Sequence, residues 1–203
     1  MSDDSRAAMK QEVLAYIKAF PEDTAPLRRL LKQLEAGEDV FDRRNFTGHV
    51  CGSGIVLSPD RTQVLLIHHK RFDRWQQPGG HVDQGEATPL DAARRETLEE
   101  AGVRLGQAYL VNGEPIPLHI GVHRVPANPA KDEPEHWHYD FRYLFIADTM
   151  AVQHQELEVH AAEWFSLDDA RTTHIAPVTA RLRTLSLVET GLRTSYNVDK
   201  HYR

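Results

Sequence analysis

The feature that most constrains this chain is a glycine pair followed by a short acidic helix, in the segment QPGGHVDQGEATPLDAARRETLEEAGV at residues 77–103. Thr88 is a typical N-cap, Pro89 suits the first helical turn, and Asp91 stands three residues after the cap, where an acid is favourable. Gly102 is placed to end the helix. The spacing therefore predicts a helix between Thr88 and Gly102.

Three carboxylates share one face of this predicted helix. Residues three and four apart lie on the same face, so Glu96, Glu99 and Glu100 point the same way and repel one another, by about a few tenths of a kcal/mol per exposed pair. Such a cluster is either a solvated acidic face or a set of hard oxygen ligands for Mg²⁺ or Mn²⁺. An isolated acidic run would favour the first interpretation, whereas the surrounding residues favour the second.

Those surrounding residues resemble the signature of the Nudix hydrolases, G-x5-E-x7-R-E-U-x-E-E-x-G-U, in which U is a bulky aliphatic residue. Gly80 and Glu86 match the first part, and the nine residues from Arg95 to Val103 match the second. The chain departs from the signature in two places. Eight residues separate Glu86 from Arg95 where the signature has seven, and Thr97 occupies an aliphatic position. We expect the extra residue to lie in the loop before the helix, which leaves the role of Glu86 open.

The resemblance implies an α+β fold, a Nudix-like α/β/α sandwich with a central mixed sheet. Strand candidates on both sides of the acidic helix agree with helices packed on the faces of such a sheet. These candidates are residues 46–57, 64–68, 108–112, 117–125, 138–147 and 157–165. Apolar periodicity and end signals predict three further helices, at residues 9–20, 24–36 and 175–189, the last ended by Gly191.

From these elements we expect an N-terminal helical extension at residues 1–40, a Nudix domain at 41–190 and a polar tail at 191–203. The extension has three alternative roles: it covers a sheet edge, forms a dimer contact, or walls the substrate pocket. Because dimers are common in the family, the resemblance also suggests a homodimer.

The resemblance also assigns roles around the acidic helix. It implies that Glu96 and Glu100 bind Mg²⁺ or Mn²⁺, that Glu99 serves a second ion or a bound water, and that the carbonyl of Gly79 is a further ligand. Arg95 stays protonated, so we expect it to hold a glutamate in position by a charge-assisted hydrogen bond. Direct contact of Arg95 with a substrate phosphate is the alternative.

The general base is a separate question, because Nudix proteins place it either on the signature helix or in another loop or strand. Glutamates shortly before Trp164 are candidates by this resemblance: Glu156, Glu158 and Glu163. We favour Glu158, with Glu99 as the alternative.

Polar residues alternate along two predicted strands. His119 and His123 share one face, and the alternate residues from His136 to Arg142 share one face of the next strand. They are either exposed or structural side chains, or they line a substrate cavity; we take His119, His123, His138 and Arg142 as candidate substrate-binding residues. A second metal site of histidine type is a further alternative, with a less specific spacing. The Pro-rich loop at 126–135 is long for a hairpin and is a candidate lid.

Charge and apolar content limit the classes of binding partner that we expect for this chain. The net charge of −6 gives no electrostatic reason to expect nucleic acid. The chain has no apolar run of transmembrane length, and its first residues lack the apolar segment of a secretory signal, so we expect no membrane partner. The single cysteine, Cys51, fits a reducing compartment and a cytoplasmic location. We interpret Cys51 as a small packed residue.

The leading functional hypothesis is Mg²⁺-dependent hydrolysis of a pyrophosphate linkage in a nucleoside diphosphate joined to another moiety. One alternative is a pyrophosphohydrolase of RNA 5′ ends, against which the acidic charge argues. Another is a non-catalytic Nudix-fold ligand-binding module, against which the retained glutamates argue. An isoprenoid diphosphate isomerase would need a catalytic cysteine in a local motif, and Cys51 has no such setting.

Overall fold

The computed structural model describes residues 1–154, 158–172 and 175–184 of the chain. Its α-helices, numbered in chain order, are α1 Asp3–Ala19, α2 Thr24–Glu35, α3 Pro89–Ala101 and α4 Ala176–Thr184. Its strands are β1 His49–Leu57, β2 Gln63–His69, β3 Arg74–Gln76, β4 Gly79–His81, β5 His119–Val125, β6 His136–Ile146 and β7 Val159–Ser166. Short 3-10 helices span Pro21–Asp23, Pro129–Lys131 and Asp169–Thr172. Among the described residues, no helix is long and apolar enough to cross a membrane.

The strands form one mixed sheet, as predicted. Its main order is β3-β2-β1-β6-β5, with β4 paired to β1 and β7 paired to β2. β1 and β6 run parallel, and the other pairs are antiparallel. Every residue of β1 is buried, because this strand pairs with three neighbours and also carries α3 on one face. β1 is therefore the centre of the fold.

α3 lies directly on β1 because the strand has glycines where the helix crosses it. A Cβ at Gly52 would come within 2.8 Å of the carbonyl carbon of Pro89, and a Cβ at Gly54 within 2.6 Å of Thr97 Oγ1. Thr97 is fully buried and donates its hydroxyl hydrogen to the carbonyl of Ala93 at 2.7 Å. The departure from the signature at Thr97 is thus accommodated, since the hydroxyl is satisfied within the helix.

The predicted ends of α3 are confirmed. The Thr88 side chain accepts a hydrogen bond from the Asp91 N–H, and the Asp91 carboxylate accepts one from the Thr88 N–H, which completes a capping box. Gly102 ends the helix with φ 68°, in the left-handed region that favours glycine. The helix runs without interruption between these caps, and the position of the extra residue in the loop before it stays a prediction.

The N-terminal helices pack on the sheet. Tyr143 of β6 donates to Glu12 of α1 at 2.8 Å, on the face of β6 that also faces α3. At β5, an end strand of the main order, the Ile120 N–H donates to the hydroxyl of Tyr16 at 3.1 Å. Of the three roles considered for this segment, covering a sheet edge is the one these contacts provide. α1 begins at Asp3, earlier than predicted, because Ser2 caps it.

One strand prediction is wrong, and two short strands were not predicted. The predicted strand at 108–112 is wrong: Asn112 and Gly113 both have left-handed φ values, 53° and 84°, and form a tight turn closed by a bridge between Val111 and Glu114. The strands β3 and β4 were not predicted, because three residues are too few to show a period. The predicted end of α4 at Gly191 and the tail at 191–203 lie outside the described residues, and the domain boundaries stay predictions.

We predict that stability depends on pH through Glu12. Burial raises the pKa of Glu12 to about 7, against the lowering effect of the hydrogen bond from Tyr143. The folded chain therefore holds the Glu12 proton over a range in which the unfolded chain releases it, and the free energy of unfolding falls as pH rises from about 4.5 to 7. In chemical denaturation between pH 4.5 and 8, Glu12→Gln should reduce this fall.

Glu35→Gln is the matched control for this measurement, since Glu35 on α2 is an exposed partner of Lys10. A Glu12→Gln profile that is parallel to wild type would show that Glu12 does not titrate in this range.

Candidate active site

The glycine pair brings β4 against two carboxylates of α3. The Gly79 N–H donates to Glu100 Oε2 at 2.8 Å, and Glu100 is only 5% exposed. A Cβ on Gly80 would lie 2.5 Å from Glu96 Cδ. The absence of a side chain at residue 80 is therefore what leaves room for the Glu96 carboxylate above the strand.

The environment of these carboxylates disfavours their charged forms. Burial raises the pKa of Glu100 to about 8; the Gly79 N–H acts in the opposite direction, and the negative charge of Glu96 raises the pKa further. Burial also raises the pKa of Glu96, although Arg95 lowers it. A bound cation would restore the charged forms, because it offsets both the burial and the mutual repulsion.

Arg95 connects the acidic residues to one another. Its Nε donates to Glu86 Oε1 at 2.8 Å, and its Nη1 lies 2.8 Å from Glu96 Oε1 and 3.1 Å from Glu99 Oε2. Its Nη2 donates to the carbonyl of His81 at 2.8 Å. This arrangement supports the holding role over direct contact with substrate. Glu86 and Arg95 are therefore in direct contact, although the sequence between them is one residue longer than in the signature.

Glu158, the favoured candidate base, lies beside Glu100. Ligand atoms of His69, Glu100 and Glu158 are all within 4.8 Å of one another. The carbonyl of Glu158 accepts a hydrogen bond from the Lys70 N–H at 2.9 Å, which ties this turn to the end of β2. Residues 70 and 158 are far apart in sequence, so only the pairing of β2 with β7 brings the exposed Glu158 carboxylate to α3.

His69 was not among the predicted site residues. It stands at an irregularity of the β2–β7 ladder between His68 and His69, and such bulges re-aim side chains next to functional sites. Of the other candidate bases, Glu163 is exposed on β7, and Glu156 lies outside the described residues.

The donor set on this side of α3 fits a hard divalent cation. Glu96, Glu99 and Glu100 offer carboxylate oxygens, the ligands preferred by Mg²⁺ and Mn²⁺. The raised pKa values of Glu96 and Glu100 show that burial disfavours their charged forms, which a bound cation would favour. Gly79 is adjacent through its N–H group. Its carbonyl as a ligand stays a prediction.

A second set of polar side chains lies on the face of the sheet opposite α3, which we name the polar face. Strand register places its residues in three rows across β1, β6 and β5. The rows are His49, His138 and His123; Cys51, Asp140 and Gly121; and Ser53, Arg142 and His119. The four predicted substrate-binding residues therefore lie on one face of the sheet. The glutamates of α3 lie on the other side, because α3 packs on the opposite face.

One end of the polar face is a buried ion pair. Arg142 Nε donates to Asp140 Oδ2 at 2.8 Å, and Asp140 also accepts from the Ser53 hydroxyl at 2.6 Å and from Gln77 Nε2 at 2.9 Å. Burial would raise the pKa of Asp140, but Arg142 and Ser53 outweigh it and lower that pKa. Burial and the charge of Arg142 lower the pKa of His119 to about 4. His119 is thus neutral at pH 7.

The other end of the polar face contains a group that sequence reasoning did not assemble. One ligand atom from each of four side chains lies within 4.8 Å of the others: His49, Cys51, His81 and His138. Burial, followed by the neighbouring imidazoles, lowers the pKa of His138 to about 2. The available sequence signal was the alternation His49-x-Cys51 on a strand; His81 had none, because β4 was not predicted.

Comparison with known protein families identifies the family to which the chain belongs. The family model of the NUDIX domain matches residues 49–185. The chain therefore belongs to the Nudix family, and its reaction class is the hydrolysis of a diphosphate linkage.

Two curated relatives and one solved structure illustrate the similarity. The "Probable DHNTP pyrophosphohydrolase" of Lactococcus lactis subsp. cremoris is 28% identical over 166 residues, which cover 79% of this chain and 90% of that protein. The "RNA pyrophosphohydrolase" of a Psychrobacter species is 32% identical over 131 residues, 49% of this chain and 73% of that protein. A NUDIX-family hydrolase from Clostridium perfringens superposes with a TM-score of 0.51 at 23% identity, covering 70% of this chain and 98% of that one. The last similarity shows the fold alone.

We predict that Gly80→Ala lowers turnover while the protein still folds. The new Cβ collides with the end of the flexible Glu96 side chain, so the carboxylate moves and the backbone does not. A displacement of about 1 Å at a reacting centre costs on the order of 100-fold in rate. Steady-state kinetics and circular dichroism measure the two effects.

Gly106→Ala is the control for this substitution, because a Cβ at residue 106 meets no atom within 4 Å. Wild-type kinetics in Gly80→Ala would show that the position of Glu96 is not critical.

Proposed function

We propose that this Nudix protein hydrolyses the pyrophosphate linkage of a nucleoside diphosphate joined to another moiety, with Mg²⁺ or Mn²⁺ as its cofactor. The observation that carries the proposal is the convergence of Glu96, Glu100 and Glu158 next to the glycine pair. Two of these three carboxylates have pKa values raised by burial. Such a cluster is unfavourable alone and becomes favourable with a divalent cation.

Each acidic residue has a proposed role. Glu96 and Glu100 would hold the cation together with the Gly79 carbonyl, and the half-exposed Glu99 would serve a second ion or a bound water. When bound, a divalent cation neutralises phosphate oxygens and lowers the pKa of a coordinated water. Arg95 keeps Glu96 and Glu99 in position through its charge-assisted bonds.

Glu158 is the proposed general base. Its carboxylate is exposed to solvent and lies within 4.8 Å of a Glu100 oxygen, so a water between the cation ligands and Glu158 can transfer its proton to Glu158. Glu99 is the alternative base, because it lies on the same side of α3.

The polar face is the proposed wall of the substrate pocket, with His119, His123, His138 and Arg142 as contacts. The 126–135 loop is the proposed lid. Its Glu133 carboxylate lies 3.6 Å from Arg43 and 3.8 Å from Arg71, so it is tied to the loops before β1 and after β2. Surface ion pairs of this length contribute little, which suits a segment that must open.

A small nucleotide is the favoured substrate class. The net charge of −6 does not favour nucleic acid, and the Lactococcus relative, which aligns over most of both chains, is named a probable DHNTP pyrophosphohydrolase and is not named for RNA. The Psychrobacter relative, named for RNA, supports the 5′-end pyrophosphohydrolase as the second candidate. The single cysteine supports a reducing compartment such as the cytoplasm.

A substrate panel tests the reaction and its class. Nucleoside triphosphates, dinucleoside polyphosphates, nucleotide sugars and 5′-triphosphorylated RNA would each be incubated with the protein and Mg²⁺, and phosphate release would be measured with and without a coupled phosphatase. Turnover of small nucleotides supports the proposal, and turnover of RNA alone supports the second candidate. Tight binding without any turnover would instead indicate a non-catalytic module.

We expect Glu100→Gln to lower turnover by at least about 100-fold, since the loss of a metal ligand removes several kcal/mol of charge stabilisation in the transition state. Because Gln also accepts the hydrogen bond from Gly79, the fold should be retained, as checked by circular dichroism. Glu35→Gln on the exposed surface of α2 is the control. Full activity in Glu100→Gln would refute the metal assignment.

The base is located by comparing Glu158→Gln with Glu99→Gln across a pH series. Loss of the base should lower kcat by about 10²- to 10⁴-fold and remove the acidic limb of the kcat profile. We expect this result for Glu158→Gln. A nearly wild-type Glu158→Gln beside an inactive Glu99→Gln would place the base on α3.

A further inference from the structure

We propose that the chain carries a second metal site, for a transition-metal ion of the Zn²⁺ type, separate from the carboxylates of α3. We name it the His/Cys site. It is formed by four side chains from three neighbouring strands: His49 and Cys51 of β1, His81 of β4 and His138 of β6.

Backbone register brings these side chains together. His49 and Cys51 are two residues apart on β1, so they point to the same side of the sheet. The parallel ladder sets His138 beside His49, and the antiparallel ladder sets His81 beside Cys51. Ligands mounted on paired strands are held more rigidly than ligands on loops.

The donor atoms are close enough to share one ion. All four lie within 4.8 Å of one another, and Cys51 Sγ is 3.5 Å from His138 Nδ1. The ring centroids of His49 and His138 are 4.5 Å apart, and those of His49 and His81 are 5.0 Å apart. A tetrahedral zinc site with one sulfur and three nitrogen ligands, at bonds of about 2.0–2.3 Å, separates its donors by about 3.3–3.5 Å. The side chains therefore need to close by about 1 Å.

His49 provides an independent indication of a missing partner. Its Nδ1 lies 3.3 Å from the carbonyl of Asn45, an acceptor, so the proton belongs on Nδ1 and the lone pair on Nε2. His49 is 1% exposed, and its Nε2 is buried without a hydrogen-bond partner among the described residues. Metal-binding histidines typically donate their second ring N–H to a backbone carbonyl in this way. The free Nε2 lone pair of His49 is thus oriented for a metal.

The chemistry of the donors selects the ion. Three imidazoles and a thiol suit Zn²⁺ and related transition metals, whereas Mg²⁺ and Mn²⁺ prefer the carboxylates of α3. Binding would form a bond between the metal and Cys51 Sγ and release the thiol proton to solvent. His49 and Cys51 are buried, whereas His81 and His138 are half-buried, so two of the four side chains are partly exposed to solvent.

The His/Cys site would also support the active site. His81 directly follows the glycine pair, and its carbonyl accepts the hydrogen bond from Arg95. A metal bound to His81 would link β4 to β1 and β6, and would hold Gly79 and Gly80 against Glu100 and Glu96. In this case His138 binds the ion and is not a substrate contact.

Cobalt spectroscopy tests the site without reference to activity. Tag-free protein, stripped with a chelator, would be titrated with Co²⁺ in excess Mg²⁺. Because the chain has one cysteine, a thiolate-to-cobalt charge-transfer band can come only from Cys51. We expect this band to saturate at one equivalent of Co²⁺ and to disappear when Zn²⁺ is added. Zn²⁺ should also remain after dialysis and raise Tm.

Variants separate this site from the active site. Cys51→Ser should abolish the band and the Zn²⁺-dependent rise in Tm, and His81→Gln should weaken Zn²⁺ binding by about 10-fold or more. His160→Gln, which removes an exposed histidine of β7, should bind as wild type. Glu100→Gln should keep the band even though it loses turnover, so the two proposals fail independently.

Several results would overturn the second site. One is Co²⁺ binding to folded wild-type protein without a thiolate band, and another is equal Zn²⁺ retention in wild type and His81→Gln. If Cys51→Ser does not fold, the half-buried His81 variant decides the question by zinc analysis. Absence of Zn²⁺ binding by folded wild type would return His138 to the substrate pocket.

Discussion

The pairing of β4 with the first half of β1 is the interaction on which both polar clusters depend. This three-residue strand presents the Gly79 N–H to Glu100, leaves space at Gly80 for Glu96, and directs the carbonyl of His81 to Arg95. Through its side chain, His81 also joins the opposite face of the sheet. A short segment held by strand pairing therefore sets the geometry on both sides of β1.

Burial acts in opposite directions on the two clusters. It raises the pKa of a buried carboxyl such as Glu100 and lowers the pKa of the buried His49 and half-buried His81 imidazoles, because the charged form is disfavoured in both cases. The resulting donors differ in hardness. The α3 carboxylates suit hard cations, and the His/Cys site suits softer ones. One fold thus places two chemically distinct sets of metal donors on the two sides of a central strand.

The N-terminal helices belong to the same packing arrangement. Tyr16 caps a backbone N–H of β5 and is itself bonded by Arg181 of α4, at 2.6 Å. An uncovered end strand exposes unpaired backbone groups and invites association. At β5, α1 and α4 cover such an end strand, and the Tyr16 hydroxyl links the two helices because it accepts hydrogen bonds from Ile120 of β5 and from Arg181 of α4.

Sequence patterns alone were enough to predict α3, its caps at Thr88 and Gly102, and the shared face of Glu96 and Glu100, because these features depend on residues within a few positions of one another. It also predicted the mixed sheet and the family. The existence of β4, the approach of Glu158 to Glu100 and the grouping of the four His/Cys side chains became visible only in the folded structure. Those features depend on pairing between strands far apart in the chain, and a shift of one residue in register would turn each side chain to the other face.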